Sequence, residues 1–194
     1  MTSHQLFSLA AIALTWIAYA PYLAAIRAGT IKPHCFSWLI WSITTAVVFF
    51  AQLSADGGAG AWPTGVSAVI TVYVTWLAWV LHGDIRITPL DWIFLVLALL
   101  SLPAWYFTAD PLWSVVILTT VDVLGFGPTL RKSWQLPWEE SLAFYLLFAL
   151  RSVLAVLALE TLNLTTLLFP VAMVLSTLVV CALLWWRRRV VPPV

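Results

Sequence analysis

Two ionisable side chains, Asp122 and Arg151, stand far inside apolar stretches. Asp122 precedes the end of its stretch by about 8 residues, roughly 12 Å at 1.5 Å per residue. Arg151 lies about 10 residues into the next stretch, roughly 15 Å on the same rule. In a bilayer a charge at such depth costs at least ~2.5–3.5 kcal/mol on insertion scales, so each needs a partner or a wet cavity. Their matched depths predict that they meet. The pair would either line a cavity and respond to a solute or proton, or lock two helices together as a structural ion pair.

Aromatic side chains supply a second kind of chemistry. Trp16, Trp41 and Tyr145 offer flat faces on which a sugar or nucleoside ring could stack. Trp16 falls near the middle of the first apolar stretch; Trp38 could stack in the same way but is read first as packing. Ser37, Thr15, Ser176 and Thr177 are candidate hydrogen-bond donors, although such residues are routine at helix contacts in membranes. No nucleophile motif, Gly-rich phosphate loop or deep carboxylate pair accompanies them. His34 directly precedes Cys35, poor geometry for one metal. Neither a metal site, nor a cofactor, nor an enzyme is expected.

Composition determines the solvent. The chain has 194 residues, 63% hydrophobic and 9% charged, with mean hydropathy +1.01. A soluble domain carries roughly 25% charged residues, so this chain belongs in lipid. Net charge is +1, which gives no reason to expect a nucleic-acid partner. Cys35 and Cys181 fall at or inside apolar segments and are read as packing residues. The Leu6–Ile26 run lacks the basic flank of a signal peptide and is about twice the usual length of its apolar part, so it is read as a retained span.

A span needs about 20 apolar residues. Seven are predicted: Leu6–Ile26, Phe36–Leu53, Pro63–Leu81, Leu90–Phe107, Leu112–Leu130, Ser141–Leu159 and Leu164–Trp186. Each must be a helix, because lipid offers no partner for backbone groups. Asp56-Gly57-Gly58-Ala59-Gly60, the Gly83-Asp84 pair with Pro89, and Asp110-Pro111 mark breaks. With seven spans, Arg27, Lys32, Arg86, Arg131, Lys132 and Arg187-Arg188-Arg189 all fall on one side. The positive-inside rule then puts the N-terminus outside and the C-terminus in the cytoplasm. The expected setting is an inner membrane of bacterial type. Trp62, Trp105 and Trp113 mark the outer interface; Trp76, Trp79, Trp92, Trp134, Trp138, Trp185 and Trp186 mark the inner one. Glu139-Glu140 at the inner edge are expected to start helix six, and Asn163 to cap helix seven.

The chain also repeats. Tyr19-Ala20-Pro21-Tyr22-Leu23 and Phe126-Gly127-Pro128-Thr129-Leu130 each put a proline near the end of an apolar stretch. A short basic loop follows each, then Pro33, Ser37, Trp41 in the first copy and Pro137, Ser141, Tyr145 in the second. Pro21 and Pro128 are 107 residues apart, and Ser37 and Ser141 are 104 apart. Thr15 aligns with Asp122 and Val47 with Arg151, so only the second copy carries charge. Pro21 and Pro128 each remove a helix hydrogen bond and are candidate hinges.

On these residues the chain resembles the PQ-loop superfamily, which includes SWEET sugar transporters. The departure is that Pro21-Tyr22 and Pro128-Thr129 stand where that family has Pro-Gln. The resemblance implies an all-α membrane protein of seven transmembrane helices, two parallel three-helix bundles joined by a linker helix. The units expected are residues 1–82, a linker over 83–110, and 111–194. It implies a carrier of a small polar solute, sugar- or nucleoside-like, working by alternating access. Trp16, Trp41, Asp122, Tyr145 and Arg151 would bind the solute and Pro21 and Pro128 would act as hinges. The alternative is a receptor or scaffold of the same plan that binds without moving its ligand. The bilayer and a small solute are the expected partners, and a homo-oligomer is compatible with the sequence.

Overall fold

The computed structural model describes residues 1–29, 33, 35–81, 87, 89–135, 137–138 and 142–192; at Asp91, Gly127, Pro128, Arg131 and Lys132 it describes the backbone alone. Lys32, His34, His82, Gly83, Asp84, Arg86, Glu139, Glu140 and Ser141 therefore lie outside the described residues. Among those described, every regular element is helical. The α-helices are α1 (Ser3–Arg27), α2 (Cys35–Ser54), α3 (Trp62–Val80), α4 (Pro89–Thr108), α5 (Pro111–Gln135), α6 (Leu142–Leu157) and α7 (Leu164–Val190). A 3-10 turn, Gly58–Ala61, leads into α3.

Local chemistry accounts for the ends. Thr2 and Gln5 form a reciprocal cap that starts α1 three residues before the apolar run. The Asp110 carboxylate accepts from the Leu112 N–H at 2.9 Å, with Pro111 at the first helical position of α5. Asn163 caps α7, as expected: its side-chain oxygen accepts from the Thr166 N–H at 3.0 Å. One boundary differs from expectation. Arg131 and Lys132 belong to α5, which continues through Pro128 to Gln135. Long basic side chains are good helix formers, so the helix outlasts its apolar part.

Large apolar side chains cover the outside, and many small hydroxyl residues are buried among the apolar core. Val69, Val72, Trp76, Leu175, Leu178 and Val179 are exposed, while Thr15, Thr44, Ser67, Thr71, Ser152 and Thr177 are buried. The buried hydroxyls bond to their own helix carbonyls, for example Thr15 to Ala11 at 2.8 Å and Thr177 to Met173 at 2.6 Å. These hydroxyls are thus satisfied without water, and their small size lets neighbouring helices approach closely. Stretches in α1, α2, α3 with its leading turn, and α7 are long and apolar enough to cross a membrane. The apolar described parts of the others are shorter: Trp92–Thr108, Pro111–Phe126 and Leu142–Leu157.

Packing is selective. α3 packs against both α1 and α2, and α7 against both α5 and α6. α1 also meets α6, and α2 meets α5; α4 leans on α5 and α2. One apolar core joins Tyr19, Leu23, Ile26, Trp38, Ile70, Val74 and Leu77 within α1–α3. A second runs across α2, α4, α5 and α7, from Val47 and Val48 through Ala98 to Leu118 and Phe169. At one end of the molecule, Arg27 of α1 lies 5.5 Å over the Tyr73 ring of α3, and Arg187 of α7 lies 4.5 Å over Trp134 of α5. Cys35 and Cys181 are buried and unbridged.

Candidate functional site

Where the six helices other than α4 converge they enclose a cavity of about 400 Å³. Its lining runs from Thr45, Thr71 and Thr177, near mid-helix, to Tyr22, Ser37 and Thr129, near the ends that adjoin the Arg27 and Arg131 side. The walls are mainly aromatic. On the α1 and α2 side Tyr22 stacks on Trp38 with ring centres 5.4 Å apart, and Trp41 meets Trp38 edge-on at 5.1 Å. On the α6 side Phe144 stacks with Phe148 at 6.0 Å and meets Tyr145 edge-on at 5.4 Å. Offset and edge-on arrangements of this kind are the ones aromatic pairs favour.

Asp122 reaches this cavity from the middle of α5 and is 7% exposed. The Thr44 hydroxyl of α2 lies near its carboxylate but donates to the Trp41 carbonyl at 3.1 Å. Its Oδ1 is buried with no hydrogen-bond partner.

Arg151 is held elsewhere, and the expected Asp122–Arg151 pair is replaced by two separate seams. From α6 the guanidinium donates to the Thr15 hydroxyl of α1 at 3.0 Å, the Pro63 carbonyl at 2.6 Å and the Ser67 hydroxyl of α3 at 2.7 Å. It also lies 5.2 Å over the Phe148 ring, just behind the cavity wall. The reason is topological. Depth along the chain was matched, but α7 stands between α5 and α6, so Asp122 faces α2 and Arg151 faces α1. Tyr19, which lines the cavity, lies close enough to feel both charges.

Of the residues singled out from sequence, Trp41, Asp122 and Tyr145 come together in the cavity. Trp16 does not join them. It is half exposed and lies in a separate groove on α1 and α3 with Ala20, Arg27 and Tyr73. Pro21 lies within α1, one residue before the lining Tyr22, and the α5 backbone runs through Pro128 between the lining Phe126 and Thr129. Tyr19, Tyr22, Phe126, Phe144 and Phe148 line the cavity without having been singled out as binders, and Trp38, read first as packing, lines it too. The stripe Ser8, Ala11, Thr15, Ala18, Tyr19 and Leu23, the buried face of α1, would have pointed to Tyr19 and away from Trp16.

No family model, curated protein or solved structure matches the chain. The cavity must therefore be understood from its own residues.

At the end of the helices away from Tyr22, Ser37 and Thr129 the connections are tied together. The Glu160 N–H donates to the Gly57 carbonyl at 3.3 Å, and the Ala59 N–H donates to Glu160 Oε1 at 3.1 Å. Asn163 Nδ2 donates to the Ala55 carbonyl at 3.2 Å, and Gln52 Nε2 to the Thr166 carbonyl at 3.2 Å. Gly60 leaves no room for a side chain, since a Cβ there would stand 2.5 Å from the Leu159 backbone. The α2–α3 and α6–α7 connections thus form one seal.

Proposed function

We propose that the chain is an integral-membrane carrier that moves a small solute by rocking two three-helix units against each other. The carrying observation is a cavity that lies between α1–α3 and α5–α7 and is sealed at one end by the connections of both. The helix packing supports two like units. Exchanging α1, α2 and α3 for α5, α6 and α7 maps α3 between its neighbours onto α7 between its own, and the α1–α6 contact onto α5–α2. The cation–ring clasp at the basic end follows the repeat too. Trp134 stands 107 residues after Arg27, with the cation and ring exchanged between partners. α4 lies outside this exchange and serves as the linker that restores direction between the units.

The resemblance to the PQ-loop superfamily is kept on these grounds, as a seven-span protein with its N-terminus outside and its basic ends in a bacterial cytoplasm. In that frame the cavity faces the cytoplasm and the glycine-rich seal faces outward. Pro21 and Pro128 flank the cavity on equivalent helices, where a kink would let each unit pivot. The test is exchange of labelled solutes in proteoliposomes carrying the purified chain. Saturable exchange, accelerated by unlabelled solute on the far side, is the expected result. Saturable binding with no exchange under any gradient would make the chain a receptor or scaffold instead.

A further inference from the structure

The lining of the cavity selects for charge. Asp122 presents a buried carboxylate oxygen with no partner, and no lysine, arginine or histidine stands beside it among the described lining residues. The guanidinium that might have neutralised it is committed to Thr15, Pro63 and Ser67. A buried carboxylate in that position is stabilised by an incoming cation far more than by a neutral group. The walls add the same preference. Tyr22, Trp38 and Trp41 on one side and Phe144, Tyr145 and Phe148 on the other surround the space with ring faces, whose negative quadrupoles attract ammonium groups.

The mid-helix hydroxyls are less available to a sugar. A polyhydroxyl solute must exchange each of its bonds to water for a bond to protein. Here the Thr45 and Thr71 hydroxyls face each other at 3.1 Å, and Thr45 and Thr177 donate to helix carbonyls at 2.6 Å each. The protons of these three hydroxyls are thus already placed within the protein, whereas Asp122 Oδ1 is left without a donor.

We propose that the solute is a small organic cation, a primary amine or quaternary ammonium group on an apolar body, with its charge on Asp122 and its body between the two aromatic walls. This rests on the cavity being the solute site of the carrier. It replaces the sugar- or nucleoside-like solute expected from the resemblance.

Calorimetric titration of the full chain in lipid nanodiscs tests it with two matched pairs: choline against 3,3-dimethylbutan-1-ol, and benzylamine against benzyl alcohol. Within at least one pair the cation should bind tenfold or more tighter. Asp122→Asn, which keeps the shape, should bring the cation down to the level of the alcohol and leave the alcohol unmoved. Trp41→Leu, at a partly exposed position, should weaken the cation several-fold and serves if the Asp122 variant does not fold. Equal binding within both pairs, no binding in either, or a cation preference untouched by Asp122→Asn and Trp41→Leu overturns the assignment. Failure of the carrier reading looks different: cations bind through Asp122, yet labelled choline and benzylamine do not exchange across proteoliposomes. Exchange of a neutral solute with no cation preference would keep the carrier and remove the cation.

Discussion

Gly60→Ala should loosen the seal at the far end from the cavity. The added methyl would start 2.5 Å from both the Cα and the nitrogen of Leu159 and 2.7 Å from its Cδ2. Backbone atoms cannot rotate aside as a side-chain tip can, so the Gly58–Ala61 turn must move off the α6–α7 connection. Forcing one methyl into a packed site costs about 1–3 kcal/mol, and at 1.4 kcal/mol per factor of ten that is roughly a 5- to 150-fold shift toward the open seal. Neighbouring amides report it directly. The Gly57 N–H bonds to the Gln52 carbonyl at 2.8 Å, Gly60 to Gly57 at 3.2 Å and Glu160 to Gly57 at 3.3 Å. Hydrogen exchange in nanodiscs should speed at these amides by the same factor, while amides in the α3 interior stay unchanged. Gly125→Ala is the control, since a Cβ there meets nothing within 4 Å. If Gly60→Ala folds and leaves exchange at Gly57 and Glu160 within twofold of the original, the contact does not hold the seal.

Outcomes are expected at three further positions. Arg151→Met should lower thermal stability by about 2–4 kcal/mol, because three charge-assisted bonds vanish but the buried charge goes with them. Arg151→Lys should be at least as damaging, since a point charge cannot span acceptors on α1 and α3 together; full stability of both variants in thermal unfolding would contradict the clasp. Asn163→Ala removes the α7 cap and the bond to Ala55; a loss of about 0.5–2 kcal/mol, with faster exchange at Thr166, is the result to look for. Pro128→Ala should slow solute exchange and leave binding intact, and an unchanged rate would remove the hinge.

How much could be read beforehand depended on what kind of signal each feature left. Helix positions were legible because apolar length and turn chemistry are local. Asp110-Pro111 starts α5 and Asn163 caps α7 where expected. The end of α5 was not, since a first basic residue marks where lipid stops and not where a helix does. That Asp122 and Arg151 need shelter was legible, and both are buried. Their partners were not, because neighbours in the sequence need not touch: α7 separates their helices. Trp16 illustrates the remaining limit. Depth alone gives no direction around a helix; the small and polar residues Ser8, Ala11 and Thr15 mark the inward face of α1, and Trp16 turns outward. Trp38 erred the other way, being both core and cavity wall.

The central claim is that two units move against each other and open the seal. Spin labels at Ser54→Cys and Leu162→Cys, both exposed positions on opposite sides of it, with Cys35 and Cys181 replaced by alanine, measure that separation by pulsed electron paramagnetic resonance in lipid. Two distances are predicted, the longer one changing its share when choline or benzylamine is added. A single distance, the same with and without either amine, would contradict the account.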